Sequence, residues 1–122
     1  MKRIVRLTGL FAVLSALLLA ADVAGTWKGA FDFNGTNVPL TLNLKTSGEA
    51  VTGTVEGLPT PVAEIHDGKL QGDTITFWVT TDYDGSTYKL LYKGKVSGDQ
   101  IQFTFGTEDD SWSTQLTVKR GS

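Results

Sequence analysis

Hydrophobic and polar side chains alternate with a period of two along most of the chain after Gly25. This period is typical of strands that bury one face, because successive side chains of a strand point to opposite sides. Eight segments carry the alternation, and no helical period is found beyond residue 25. The predicted strands contain residues 27–33, 38–44, 51–55, 62–70, 75–79, 88–96, 101–105 and 112–118. The fourth is irregular and holds the only histidine, His66.

Short turn signals separate most of these segments. They read NGT at 34–36, SGE at 47–49, QGD at 71–73, DYDG at 82–85, SGD at 97–99 and TEDD at 107–110. Glycine, aspartate and asparagine between alternating runs indicate antiparallel hairpins. Eight strands joined in order predict an all-β, up-and-down barrel, which leaves no exposed edge, and an open β-sandwich is the alternative. The odd-numbered connections then meet at one mouth.

Two of the hairpins repeat one pattern, GKLQGDTITF at 68–77 and GKVSGDQIQF at 94–103. Each Gly-Asp pair supplies a two-residue type II′ turn, whose first position requires positive φ. The turns then set the register, which in the first copy pairs Leu70 with Ile75 and Gly68 with Phe77. In the second copy the predicted pairs are Val96–Ile101 and Gly94–Phe103. A glycine opposite an inward phenylalanine leaves room for the ring and allows the strand to bend.

Trp78 interrupts the inward series, because it lies between Phe77 and Val79 and is therefore predicted to face outward. A register of Phe77–Leu90 and Val79–Tyr88 would place Lys89 opposite the indole. Two interpretations stay open for this pair. Trp78 and Lys89 form either a platform for a glycan or a cross-strand contact in which the lysine packs on the indole.

Large aromatic side chains compete for the barrel interior. An eight-stranded barrel is just wide enough to be filled by side chains or to hold one small ligand. Tyrosine and tryptophan combine an apolar ring with a polar group, which suits a ligand site, although such groups also bond to backbone in a filled core. Both arrangements stay open, and the candidate ligand-binding residues are Trp27, Tyr88, Tyr92 and Trp112.

Residues 1–21 differ in composition from the rest. Three basic residues precede an apolar run from Leu7 to Ala21, which is short for a membrane span and typical of a signal peptide. We expect cleavage after Ala20 or Ala21 and a single domain over residues 22–122. Export to the periplasm or the bacterial exterior follows. The chain has no cysteine, so the domain would depend on its core rather than on disulfides.

Removal of residues 1–21 changes the charge. Three of the 11 basic residues lie in this segment, whereas all 13 acidic residues lie beyond it. The remaining domain therefore has a net charge of −5. A mildly acidic domain argues against nucleic acid and anionic membrane surfaces as partners. Seven of the acids belong to strand ends and turns at the mouth of the odd-numbered connections. We call them the acidic rim: Asp32, Glu56, Asp82, Asp84, Glu108, Asp109 and Asp110.

Carboxylates in turns raise the question of a metal site. Asp82 and Asp84 have the first spacing of a calcium loop, but no bidentate glutamate follows at the required distance, and aspartate is an ordinary turn residue. We therefore expect no metal and no cofactor. Catalysis finds equally little support, since there is no thiol and His66-Asp67 lies at a turn without a serine signature nearby. No catalytic residue is assigned.

The stretch GTWKG at 25–29 resembles the first strand of calycin barrels, the superfamily of lipocalins, fatty-acid-binding proteins and avidins. In lipocalins the tryptophan is covered by a basic residue of the last strand, and the resemblance implies that Arg120 covers Trp27 here. The helical pair of fatty-acid-binding proteins is absent, and the biotin ligands of avidins have no match. The chain beyond residue 21 also resembles uncharacterised secreted bacterial β-domains. Both resemblances imply a fold rather than an activity.

These observations predict a non-enzymatic binding module for a small apolar or amphipathic ligand. The alternative is an accessory domain with a filled core that meets a glycan or a protein through its outer face. The identity of a protein partner is not indicated by the sequence. The volume of the interior distinguishes the two, because a core without a void would exclude a carried ligand.

Overall fold

The computed structural model describes residues 22–59 and 62–121, all of whose regular elements are strands. The predicted signal peptide, residues 1–21, lies outside the described residues. Nine strands are formed: β1 (Gly25–Phe33), β2 (Thr36–Ser47), β3 (Ala50–Glu56), β4 (Val62–Glu64), β5 (His66–Gln71), β6 (Thr74–Tyr83), β7 (Ser86–Ser97), β8 (Gln100–Thr107) and β9 (Ser113–Arg120). Within the described residues no helix is long and apolar enough to cross a membrane.

The strands close into an antiparallel barrel. Apart from β4 and β5, which do not pair with each other, each strand pairs with its sequence neighbours. β9 returns to pair with β1 from Trp27–Arg120 to Ala30–Thr117. The predicted fourth strand is broken at Ile65 into β4 and β5, which both pair with β3 and together occupy one place in the ring. The fold is therefore the eight-stranded up-and-down barrel that the sequence predicts, and the open sandwich is excluded.

The turns differ between the two ends of the barrel. Gly48, Gly72 and Gly98 have φ of 62°, 63° and 61° at one end, and each precedes an acidic residue in a two-residue turn. At the other end Asn34-Gly35 and Asp84-Gly85 have positive φ at both positions, as a type I′ turn requires. The predicted positive φ at Gly72 and Gly98 is thus confirmed.

The register of the second repeat is confirmed. Val96 pairs with Ile101 and Gly94 with Phe103. A Cβ built on Gly94 would lie 2.6 Å from Cδ1 of Phe103, so the glycine does leave the space that the ring occupies.

The first repeat departs from its predicted register. Leu70 pairs with Ile75 as expected, but the register shifts between His66 and Lys69. Asp67 and Gly68 therefore both lie opposite Phe77, and a bulge replaces the predicted one-to-one pair. A Cβ on Gly68 would instead lie 2.1 Å from the carbonyl oxygen of Val51 on β3. The extra residue in β5 is accommodated by Asp67, whose φ is 52°, and such a bulge increases the local bend of a strand.

The predicted register between β6 and β7 is wrong by two residues. Phe77 pairs with Tyr92 and Val79 with Leu90, because the strands extend to Tyr83 and Ser86 and the turn is centred on Asp84-Gly85. A shift of two preserves the side of the sheet to which each side chain points. The inward and outward assignments therefore hold although the pairs do not.

The core runs through the whole barrel and is built from the inward side chains of every strand. Its largest fully buried members are Trp27, Tyr92, Phe103 and Phe105. Tyr92 lies parallel to Phe105, with ring centroids 4.4 Å apart, and stacks on Phe77 at 4.7 Å. These three rings form a layer across the middle of the barrel, which we call the aromatic layer, and it separates two very different ends.

Candidate functional site: a cavity at the open mouth

The end that holds the Gly-acid turns is closed by its own side chains. Trp27 is fully buried and donates from Nε1 to the carbonyl oxygen of Val23 over 2.9 Å. The Arg120 guanidinium lies 4.3 Å from the centre of the indole ring. It also donates 2.8 Å hydrogen bonds to the carbonyl oxygens of Asp22 and Ala24. The implied contact between Arg120 and Trp27 is thus present. We call this end of the barrel, covered by Arg120, the closed end.

The opposite end, the open mouth, contains a cavity of about 540 Å³. Volumes in this range accommodate small organic ligands. The wall is mainly aromatic and aliphatic, and its polar side-chain groups are hydroxyls and the indole N–H of Trp112. The lining residues are Phe31, Phe33, Val38, Gly57, Leu58, Pro59, Thr81, Tyr83, Tyr88, Leu90, Phe105, Thr107, Ser111 and Trp112.

One wall of the cavity is a chain of ring contacts. Trp112 meets Phe33 at 5.7 Å, Phe105 at 5.6 Å and Phe31 at 6.2 Å, each edge to face. Tyr83 meets Phe33 in the same way at 5.7 Å. Edge-to-face contacts of this kind hold rings at defined angles. The wall is therefore shaped before any ligand arrives.

The connection between β8 and β9 fixes the position of Trp112. Its backbone N–H donates to the Thr107 hydroxyl over 3.1 Å, and its carbonyl oxygen accepts from the Thr107 N–H over 2.9 Å. Asp109 accepts a hydrogen bond from the backbone N–H of Ser111, and this bond is the main reason why its pKa lies below the ordinary value. The loop is thus tied to the strand end at several points.

A second loop, Gly57 to Pro59, covers part of the mouth. Leu58 is only 7% exposed although it lies between strands. Gly57 has φ of 113°, and a Cβ there would lie 2.3 Å from the carbonyl oxygen of Pro39. A side chain at 57 would therefore force the loop away from β2, and the glycine allows Leu58 to reach the cavity.

The four predicted ligand residues are divided between the two regions. Tyr88, which is 40% exposed, and Trp112, which is half-buried, line the cavity. Trp27 lies at the closed end and is not part of the lining. Tyr92 lies in the aromatic layer behind Phe105 and is also outside the lining. Only two of the four are thus brought together at one site.

The sequence interpretation missed the contribution of Leu58 and Pro59. They belong to a connection without alternation, so period-two reasoning could not assign them a direction. The one available signal is an isolated leucine between Gly57 and Pro59, since a lone apolar residue in a loop often packs back on the core.

The Tyr92 hydroxyl has no hydrogen-bond partner among the described residues although it is buried. Burial raises the pKa of this phenol, because the ionised form would lose its hydration. A buried hydroxyl without a partner costs stability. Its presence in the aromatic layer is therefore not explained by packing alone.

On the outer wall, Trp78 faces outward as predicted, between the buried Phe77 and Val79. Its register partner is Leu91 rather than Lys89, but the Lys89 ammonium does lie 4.3 Å from the ring centre. His66 stacks on the same indole with centroids 4.3 Å apart. Because His66 and Lys89 belong to the strands on either side of β6, the indole is covered from both flanks. Its Nε1 donates to Asp67 over 2.8 Å.

The acidic rim surrounds the open mouth as the turn order predicts. Its members are solvent-exposed. Asp82 accepts a 2.6 Å hydrogen bond from Thr87, and Glu108 lies 3.5 Å from Lys89. Within residues 22–59 and 62–121, no three histidine or acidic side chains are grouped so that they could hold a metal ion.

The structure is thus an eight-stranded up-and-down β-barrel with a closed end and an apolar cavity at the open mouth. No protein-family model and no curated protein matches this chain. Among solved structures, the chain is similar to a secretary abundant heat soluble (SAHS) protein from Ramazzottius varieornatus, with 12% identity and a TM-score of 0.42 over 81% of this chain and 95% of that one. At that distance the likeness carries no functional argument.

Proposed function

We propose that this protein is a non-enzymatic binding module that holds a small apolar or amphipathic molecule in the cavity at the open mouth. The observation that carries the proposal is the cavity itself, about 540 Å³ in volume and lined mainly by apolar side chains. An interior without a void would have left no place for a carried ligand. Tyr88 and Trp112 are the predicted ligand residues that would contact it directly.

The preformed wall supports the same function. Association is weakened when side chains and loops must be ordered on binding. Here the ring contacts around Trp112 and the hydrogen bonds of its loop join residues of the chain to one another. A ligand would therefore gain apolar contact at a small ordering cost. The Tyr88 hydroxyl offers a hydrogen bond to a polar end of the ligand.

The alternative, recognition of a glycan or a protein through the outer wall, has weaker support. Sugar binding on Trp78 would need a free ring face, whereas His66 and Lys89 both lie against this indole. Export of the domain and the removal of residues 1–21 stay predictions.

A fluorescent probe tests the proposal. N-phenyl-1-naphthylamine is neutral and apolar, and its emission rises when it leaves water. We expect saturable binding to residues 22–122 with one site. Val38→Phe adds a ring to the cavity wall and should weaken binding at least about tenfold, because it fills space that the probe requires.

Gln102→Phe is the matched control, since Gln102 lies on the exposed face of β8 and the same ring there leaves the cavity unchanged. Equal affinity of the Val38→Phe variant and the parent would place the probe elsewhere and would contradict the proposal.

A further inference from the structure

Charge is divided unevenly between the two ends of the barrel. The acidic rim brings seven carboxylates to the open mouth, and of the described residues only Lys89 brings a positive charge near them. The other basic residues of the described chain lie towards the closed end. Lys28 pairs with Lys119, and Arg120 pairs with Trp27. A ligand that enters the cavity therefore passes through a region of negative potential.

The cavity wall contains no charge that could offset this field. Its lining is apolar, aromatic or hydroxylated. Arg120 cannot serve an anion in the cavity, because its guanidinium is bonded at the closed end to Asp22, Ala24 and Asp99. Lys89 lies over Trp78 on the outer wall and next to Glu108. An anionic head group at the mouth would meet repulsion and find no cation inside.

Aromatic rings at the edge of the cavity favour the opposite charge. Tyr83 and Tyr88 are 45% and 40% exposed, and both line the cavity. Ring faces attract ammonium groups through their quadrupole, and the attraction increases where water is partly excluded. The mouth thus offers both ring faces and surrounding carboxylates to a positive head group.

We infer that the cavity selects amphipathic molecules with a cationic head, of the alkylamine class, over anionic ones such as fatty acids. This inference rests on the proposed function, since it names the class of ligand for the same cavity. The apolar chain would lie along the wall that the contacting rings of Phe105 and Trp112 form. The ammonium would lie between the exposed tyrosine rings and the acidic rim.

Three probes with one chain length test the selection: decylamine, decanol and decanoate at pH 7, each used to displace N-phenyl-1-naphthylamine. The amine and the carboxylate are kept below their critical micelle concentrations and decanol below its solubility limit. At 20 mM NaCl we expect decylamine to bind about tenfold more tightly than decanoate, with decanol between them. At 500 mM NaCl the ratio should fall below about threefold, because salt screens exposed charges.

A charge-neutralised variant locates the effect. Asp32→Asn, Asp84→Asn and Asp110→Asn together remove three rim charges, and asparagine tolerates the positive φ of 53° and 62° at positions 84 and 110. The amine-to-carboxylate ratio should fall at least about threefold while decanol affinity stays constant. The matched control is Glu49→Gln with Asp73→Asn and Asp99→Asn, which changes the acidic residue of each Gly-acid turn at the closed end. It removes the same charge away from the mouth and should leave the ratio close to that of the parent.

The outcomes separate the two proposals. Decanoate binding as tightly as decylamine, or equal ratios in the rim variant and the parent, would overturn the charge selection and leave the binding function standing. Failure of all three probes to displace the fluorophore, or of the fluorophore to bind at all, would overturn the binding function and the selection with it.

Discussion

The two ends of this barrel use similar residues for different purposes. Each has a tryptophan of the interior near the entry or exit of the strands, Trp27 at the closed end and Trp112 at the open mouth. Trp27 is sealed beneath Arg120 and bonded to Val23, whereas Trp112 is half-buried and borders a cavity. The difference arises from what covers each ring. A guanidinium bonded to backbone carbonyls closes one end, and a short loop that covers only part of the mouth leaves the other open.

Under the proposed function, the closed end serves stability and the open mouth serves binding. The closed end has its polar groups paired and its space filled, which is the arrangement that stabilises a small barrel without disulfides. The open mouth leaves apolar surface in contact with solvent. Apolar surface that stays uncovered contributes nothing to folding, but it is available to a ligand.

The largest expected effect separates the two tryptophans. Trp27→Ala should lower the free energy of unfolding by about 3–5 kcal/mol, because it leaves a large void in a filled region. Trp112→Ala should cost less than about 2 kcal/mol, since its ring already borders empty space. Urea denaturation of residues 22–122 measures both. Equal losses would show that the two ends do not differ as proposed.

Loss of the Arg120 cover should have the next largest effect. Arg120→Gln removes the contact with the Trp27 ring and the hydrogen bonds to Asp22 and Ala24. Because the side chain is about one-third exposed, we expect a loss of about 1–2 kcal/mol. Arg120→Lys should recover less than half of it, as an ammonium cannot reproduce the planar fork. The affinity of the probe for the open mouth should not change. A changed affinity would show that the closed end influences binding at the open mouth.

The aromatic layer between the ends offers a stabilising substitution. Tyr92→Phe removes a buried hydroxyl that has no partner among the described residues and should raise stability by up to about 1 kcal/mol at pH 7. If the hydroxyl contacts an ordered water or a ligand, the variant is instead destabilised or binds the probe less tightly. Urea denaturation and probe titration of the same variant distinguish these results.

The same residue gives a dependence on pH. Burial raises the pKa of folded Tyr92 above the unfolded value of about 10. The unfolded chain therefore loses this proton first, and stability is present in full below pH 10 and falls as the pH rises further. Tyr92→Phe should flatten this alkaline loss relative to the parent in denaturation curves at pH 9 and pH 11.

The smallest expected effect concerns the outer wall, which belongs to neither end. Trp78→Ala removes exposed contacts with His66 and Lys89 and should cost no more than about 1 kcal/mol. Retention on gels that contain soluble polysaccharides should be the same for the parent and the variant if the indole is only a cross-strand contact. If the gel retains the parent but not the variant, the result would favour the glycan platform.

The amino-acid sequence determined the barrel because alternation and turn chemistry are local properties. The inward direction of Phe77, Phe103 and Phe105 follows from the parity of their strands, and the Gly-Asp pairs predict their own turns. Parity also survives an error of two residues in register, which is why the outward assignment of Trp78 holds although its predicted partner does not.

The tertiary structure decided where the interior is full and where it is empty. The shift at Asp67 depends on β3 as well as β6, since Gly68 meets the backbone of Val51, and no local pattern contains that contact. Whether Trp27, Tyr92 and Trp112 fill the barrel or border a cavity depends on the summed volume of side chains from all strands and on the loop that brings Leu58 inward. Volume is a property of the closed ring, so it cannot be assigned from the alternation of any single strand.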